Sequence, residues 1–571
     1  MTRPYRKLEI LAVTVGSIAF AASFTYPLLM RLSGTGPGVD ADGFREASWV
    51  GVYTIKRFAQ LPLWDPYKCG GVPLLADPQS RQLTPFFLLH LVFGPIVAIN
   101  LELTIHLAIA WAGGYLLARL IGLGYLAAIV CASVFPSSSW IYLHFSAGHM
   151  SFISILYLPW ILSLWLLSIQ TRRLLPAAAA GLCCALAFAE SGVYVAYLAT
   201  PFLATVALTT AVRSKQTWPI SALLITAAFA IGFASIKLLP TLALQIARGT
   251  LSTEIETPRM LAQEIFSRDQ DLYRWLDGIE WGFYEYGAYL SPFFALFAAV
   301  GLVFDSDRAL PWIAGVAVML LLSLGSPTWW APWALLHRLP IYSYEHVPSR
   351  FLIPFVMGMA LLAGLGAEVL CRKGWIPAAI VVVVLAAALV DCWNVNYDNV
   401  GYGAAGVVAS PPPWSLSFRQ FWDTREGQLY SVALSNQGAL NCSVMNVLGL
   451  HAAAYNRPNY RGEQYLLGEG SATLSRWTPN ALTFDVDIPS QSLLVINQNY
   501  DSGWKVTDGQ GVVLSHTGLL AVRLPEGHQR LKLTYSSFAF AIGLSITALT
   551  FLVTLVLWRR EANQAIASAI E

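Results

Sequence analysis

"LEILAVTVGSIAFAASFTYPLLMRLSGTGPGVDADGFREASW" (residues 8–49) joins a long apolar run to a short acidic segment. Residues 8–30 carry one acid among more than twenty mostly apolar residues, the length a bilayer-spanning helix needs. Arg3, Arg6 and Lys7 precede the run, and Ala21-Ala22-Ser23 mimics a cleavage site. The run continues through Tyr26-Pro27-Leu28-Leu29-Met30, so it reads as a retained helix rather than a signal peptide. Then Asp40, Asp42, Arg45 and Glu46 crowd into seven residues of a chain that is 12% charged. The 571 residues are 56% hydrophobic, with a mean hydropathy of +0.55. Soluble domains carry about twice that share of charge, so the composition predicts a polytopic membrane protein. A net charge of +2 gives no footprint for nucleic acid.

The same test applied along the chain predicts twelve spans: 8–30, 98–118, 122–142, 150–170, 174–190, 193–212, 217–238, 287–304, 309–325, 351–370, 376–393 and 537–558. Pro85 and Pro95 break the apolar stretch 83–97, which reads as a juxtamembrane element or an extension of the second span. Short basic breaks follow every second span: Arg119, Arg172-Arg173, Arg213 with Lys215, Arg308, Arg372-Lys373 and Arg559-Arg560. Positive loops face the cytoplasm, so both termini are expected inside, in a bacterial inner (cytoplasmic) membrane. The long segments 31–84, 240–286 and 394–536, with the shorter loop 326–350, are expected outside.

Three units are expected: a transmembrane catalytic domain over 1–393, an extracytoplasmic β-rich domain over 394–536, and a last span with a cytoplasmic tail over 537–571. "ALTFDVDIP" (481–489), "SLLVINQN" (492–499) and "HQRLKLTY" (528–535) alternate in period two between turn residues, which predicts a small β-sandwich. Seven cysteines are scattered without metal-ligand spacing. A Cys69–Cys442 or a Cys392–Cys442 disulfide is conceivable if those segments lie outside.

Segment 43–60 places Phe44, Ala47, Ser48, Gly51, Ile55 and Phe58 on one helical stripe, a pattern suited to lying in the interface plane. Asp42 has two readings: an N-cap that accepts backbone N–H bonds, or a carboxylate held at the membrane surface as general base or metal ligand. The stiff loop "LPLWDPYKCGGVPLLADPQS" (61–80) could shape a substrate entrance or be structural alone. Ionisable groups in or beside spans are costly and invite functional hypotheses: Glu102, His106, His144, His149, Glu190, Lys237, Glu285 and Arg350. Most fall at the expected outer face, and Glu368, nearer the cytoplasmic end, reads as structural. No nucleotide-binding Gly-rich loop, GxSxG or HExxH motif occurs. A lipid-borne substrate is then the natural alternative to a nucleotide-sugar.

The loop 61–80 resembles the hallmark loop of the YfhO-like bacterial membrane proteins. "GHMSF" (148–152), "KLLP" (237–240), "EYGAYL" (285–290), "VPSRFL" (347–352), "NQNYDSGWKVTDG" (497–509) and "LPEGHQRLKLTYSSFAFAIGLSIT" (524–547) follow in that family's order. The resemblance implies an α-helical GT-C-fold glycosyltransferase that takes a sugar from a polyprenyl-phosphate donor to a cell-envelope glycan or lipid acceptor. It implies a catalytic Asp in the first outer loop, so Asp42 is the expected inverting base and Asp40 an assisting carboxylate or metal ligand. Arg45 matches a D-x-x-R pattern seen after the catalytic Asp in some lipid-linked aminosugar transferases. Arg45, His149, Lys237, Glu285 and Arg350 are the expected substrate-binding residues, with Arg350 and Lys237 at the donor phosphate. A divalent metal ion is a possible cofactor. Glu345-His346 departs from the family, which usually has an Arg before "VPSRF". Two other classes stay open: a transporter or flippase for lipid-linked saccharides, and a non-catalytic envelope protein whose β domain binds glycan.

Overall fold

The structure, a computed structural model, describes residues 3–33, 37–190, 192–244, 254–276, 280–339, 342–400, 415, 417–422, 429–440 and 450–570. Among them, ten helices are long and apolar enough to cross a membrane, from Lys7–Phe24 to Phe538–Gln564. Two expected spans are shorter. Leu174–Ala189 has 16 residues and Pro292–Phe304 has 13, roughly 24 and 20 Å at 1.5 Å per residue against about 30 Å of hydrocarbon. The second is truncated because residues 287–291 stay non-helical. They carry Tyr289 and Ser291 to Asp391, each hydroxyl donating over 2.7 Å, before Pro292 opens the helix where its missing N–H costs nothing. Pro95 likewise opens Pro95–Leu120, and the stretch before it folds separately as the short helix Phe87–Phe93.

Loops gather at two ends. At the basic end Arg119 pairs with Glu9 at 3.1 Å, Arg308 donates to the Ile121 carbonyl, and Glu368 accepts from the Gly124 N–H at 2.7 Å. At the other end segments 38–84, 254–276, 280–290, 342–351 and the C-terminal strands interlock.

That C-terminal region is a sandwich of two four-stranded antiparallel sheets. One runs in the order Val512–His516, Leu519–Leu524, Ser492–Asn499, Gln464–Leu466, and the other in the order Ser471–Thr478, Ala481–Ile488, Gly527–Tyr535, Trp504–Asp508. The period-two pattern fixes the register: Leu482, Phe484, Val486 and Ile488 face Leu494, Ile496, Leu520 and Val522 in the shared core. All eight strands fall between 464 and 535. Before them, Arg419–Phe421 pairs in parallel with Gln437–Ala439.

Of the two readings open for residues 61–80, the contacts of the loop support the structural one: it plugs into the sandwich. Trp64 is fully buried within the sandwich core, its indole N–H donating to Gln498 at 2.9 Å and its backbone N–H to Asn480 at 2.9 Å. Asn499 in turn donates to the Cys69 carbonyl at 2.8 Å. Helix Asp42–Phe58 does not turn a wholly polar face outward. Arg45 and Glu46 are buried along with Phe44, Ala47, Ser48 and Gly51, because Leu429–Leu434 packs over the helix. Cys69 is disulfide-bonded and Cys392 is a free buried thiol, which removes the Cys392–Cys442 pairing. Position 442 lies outside the described residues.

Candidate active site at the mouth of the helices

The chain between the first two membrane helices returns against the end of Tyr125–Ala147 by a backbone contact that only glycine permits. The Gly38 N–H donates to the Ser146 carbonyl at 2.9 Å. A Cβ at Gly38 would stand 2.5 Å from that oxygen, and one at Gly148 would stand 2.3 Å from the Ala41 nitrogen. Gly148 also has φ +103, a conformation open to glycine. This approach sets the turn Val39–Ala41 beside His149.

Asp40 Oδ2 lies 3.0 Å from His149 Nε2. Nδ1 of the same ring faces His144 Nδ1 at 3.1 Å and Glu285 Oε1 at 3.5 Å. Glu285, closing the turn Phe283–Glu285, accepts the Arg350 fork: Nε to Oε2 at 2.8 Å and Nη2 to Oε1 at 2.7 Å. The remaining Nη1 of Arg350 reaches both Glu345 oxygens at 3.2 and 3.3 Å. The guanidinium lies against the rings of Phe152 and Tyr194, 5.3 and 5.2 Å from their centroids. Exposure falls steeply along the row, from 57% at the Asp40 side chain to 2% at Arg350. Burial favours a neutral Glu285 carboxyl, but Arg350 and then His149 outweigh it and hold it well below the usual carboxylate range. Glu345 is pushed up by burial, against the pull of Arg350.

Of the residues expected to form the site, Asp40, His149, Glu285 and Arg350 come together. Asp42, Arg45 and Lys237 do not join them. Asp42 is the first helical residue, Ala41 being the N-cap, and its Oδ2 accepts from the Tyr430 backbone N–H at 3.3 Å. Burial raises its carboxyl to about 6, opposed by that hydrogen bond and by Arg45. Arg45 donates to the Pro37 carbonyl. Lys237 donates to the carbonyls of Ser80 and Ala189. It belongs to a buried network in which Lys68 pairs with Asp77 at 2.8 Å, Arg81 with Glu102 at 2.6 Å and His106 with Glu190 at 2.8 Å. That network ties the first loop to the helices.

Glu345 is the member that sequence reasoning did not place in the site. Its signal was present as the acid standing before "VPSRF". His144 stands in the sequence reading as an ionisable group beside a span, with no role assigned to it in the site. His144, His149 and Glu285 form a donor set whose ligand atoms all lie within 4.8 Å of one another. This set of two imidazoles and one carboxylate suits a borderline divalent ion.

No family model and no curated protein matches the sequence. Among solved structures, the arabinofuranosyltransferase AftD from Mycobacteria is similar at 16% identity and a TM-score of 0.43, over 71% of this chain and 27% of that one. The oligosaccharyltransferase of Archaeoglobus fulgidus gives 13% and 0.45, over 75% and 64%. The arabinosyltransferase EmbB from Mycobacterium smegmatis gives 13% and 0.34, over 94% and 64%. The chain thus spans less than two thirds of the length of each.

Proposed function

We propose that this chain is an inverting membrane glycosyltransferase. It moves a sugar from a polyprenyl-phosphate carrier to a cell-envelope glycan or lipid acceptor on the extracytoplasmic side of a bacterial cytoplasmic membrane. The observation that carries this reading is the graded cluster: a water-exposed carboxylate gripped by a histidine at the mouth, with paired charges buried behind it at the helix ends. A donor held in the bilayer and an acceptor arriving from water meet at such a place.

Asp40 is the base in this account. His149 holds its Oδ2, and the carboxylate draws the proton from the acceptor hydroxyl as that oxygen attacks the anomeric carbon. General-base help of this kind contributes typically ~10²–10⁴-fold. Attack opposite the departing phosphate gives inversion in one displacement. Glu285 fixes the His149 ring from its other side, and Arg350 fixes Glu285. Arg350 is therefore a positioning residue rather than the phosphate ligand expected from its place in the sequence, since both ends of its guanidinium are already occupied by carboxylates. His144, His149 and Glu285 would hold a divalent cation, which supplies positive charge for the leaving phosphate.

The test is turnover of a synthetic polyprenyl-phosphate sugar by the purified chain, read as release of polyprenyl phosphate. Release with this donor, and none with nucleotide-sugars, is expected. Direct use of a nucleotide-sugar with no turnover of the lipid donor would reject the reading.

A further inference from the structure

Sharing no residue with the cluster, the outer face of the sheet Ser471–Thr478, Ala481–Ile488, Gly527–Tyr535, Trp504–Asp508 carries a cavity of about 360 Å³. Arg476, Arg530 and Lys532 line it, with Asp508 as the one carboxylate. The inward residues of these strands fill the sandwich core, so the alternate positions turn their charges outward. Arg476 stands across from Thr483, and Thr483 across from Lys532, so two cations flank one row of the sheet. Among the described residues none of the three cations makes an ion pair or a side-chain hydrogen bond, whereas Arg274, Arg308 and Arg372 elsewhere on the surface are paired. Gln60 reaches in from the end of the first outer helix, and its amide oxygen is buried without a partner.

Three unpaired cations around one small volume call for an anion with several oxygens. Position narrows its source. Thr534, also in the lining, is four residues before Phe538, where the last membrane helix begins. Extended chain therefore puts the cavity edge within roughly 13 Å of that helix. Phe538 is 79% exposed and Leu61, beside Gln60, is 48% exposed, so apolar groups flank the cavity on its membrane side. Juxtamembrane cations of this kind attract anionic headgroups. We infer that this cavity is a binding site for the phosphoryl group of an anionic phospholipid, seating the sandwich on the bilayer. The inference does not rest on the glycosyltransferase reading.

Native mass spectrometry of the full chain in mild detergent tests it, with dioleoylphosphatidylglycerol and inorganic phosphate as probes. The variant R476S/R530S/K532S should retain phosphatidylglycerol at least tenfold more weakly than the wild type. R523S, an exposed arginine on the other sheet, should change nothing. Displacement of the lipid by millimolar phosphate, with phosphate binding lost in the triple variant, would assign the site to a soluble phosphoryl group and keep its chemistry. Equal retention of both probes by the wild type and the triple variant would overturn the site, as would failure of the wild type to bind either. All three side chains lie on the outer sheet face, so an unchanged unfolding temperature shows that the variant is folded.

Discussion

Replacing Arg350 by methionine separates a positioning role from a substrate-binding one. Its side chain is 2% exposed and those of its partners Glu285 and Glu345 are 3% and 4%. Removing the cation leaves two buried carboxylates facing each other. Breaking one partner out of a buried pair costs about 3–5 kcal/mol, because the charge left behind is uncompensated. We expect R350M to lose that much stability, measured as thermal unfolding in detergent. Neutralising the acids as well, in R350M/E285Q/E345Q, should restore most of it, since charge-free replacements of a buried pair are often near neutral. Transfer should stay lost in the triple variant, because Glu285 no longer orients His149. The pH dependence should change sign too. In the wild type, Glu285 has a depressed pKa, so its contribution is present above the unfolded carboxyl value near 4.3 and is lost as pH falls through the folded value. In R350M burial acts without its largest counterweight, only the histidines still opposing it; the pKa rises, and acidification from neutral pH should stabilise the protein. If R350M unfolds like the wild type, or the triple variant is as damaged as the single one, Arg350 does not carry this load. A stable R350M that has lost only donor binding would return it to the phosphate.

Trp64→Ala should destabilise the docking of the sandwich by about 3–5 kcal/mol, as for other large aromatic truncations in a packed core, and should expose the sandwich to protease while the membrane helices stay protected; an unchanged digest would mean the loop is not a plug. Asp42, raised to about 6 by burial, binds a proton more tightly folded than unfolded, so wild-type stability should rise as pH falls from 7 through 6 towards 4. Asp42→Asn should flatten that slope and stabilise at pH 7 by up to roughly 2–3 kcal/mol; a steeper slope in the variant would contradict the assignment. Chelation should abolish transfer, a divalent cation should restore it, and H144A should raise the cation concentration required; full turnover in chelator would remove the metal from the scheme.

The fold was legible wherever a single physical variable decided it. Apolar length located the membrane helices, and period-two alternation located the strands of Ala481–Ile488 and Gly527–Tyr535. What stayed hidden was contact between distant segments. Trp64 looks like an interfacial aromatic until Asn480 and Gln498 are seen to bind it from more than 400 residues away. Asp40 and Asp42 are interchangeable as letters. A tight turn sends them to opposite neighbours, Asp40 to His149 and Asp42 to the Tyr430 backbone. The glycines that make the difference, Gly38 and Gly148, carry no chemical signal of their own. Arg350 was legible as a buried cation beside a membrane span, and its two acids were legible as residues, but their pairing was not.

The most direct measurement is sugar transfer from a polyprenyl-phosphate donor by Asp40→Asn and Asp42→Asn, each purified and shown to be folded. Asn keeps the shape and the hydrogen-bond acceptor but cannot take the proton. Asp40→Asn should lose about 10²–10⁴-fold in turnover, with donor binding retained, while Asp42→Asn transfers near the wild-type rate. An active Asp40→Asn beside a dead Asp42→Asn would move the chemistry to the Tyr430 side of the turn, and activity in both would contradict a carboxylate base in this segment.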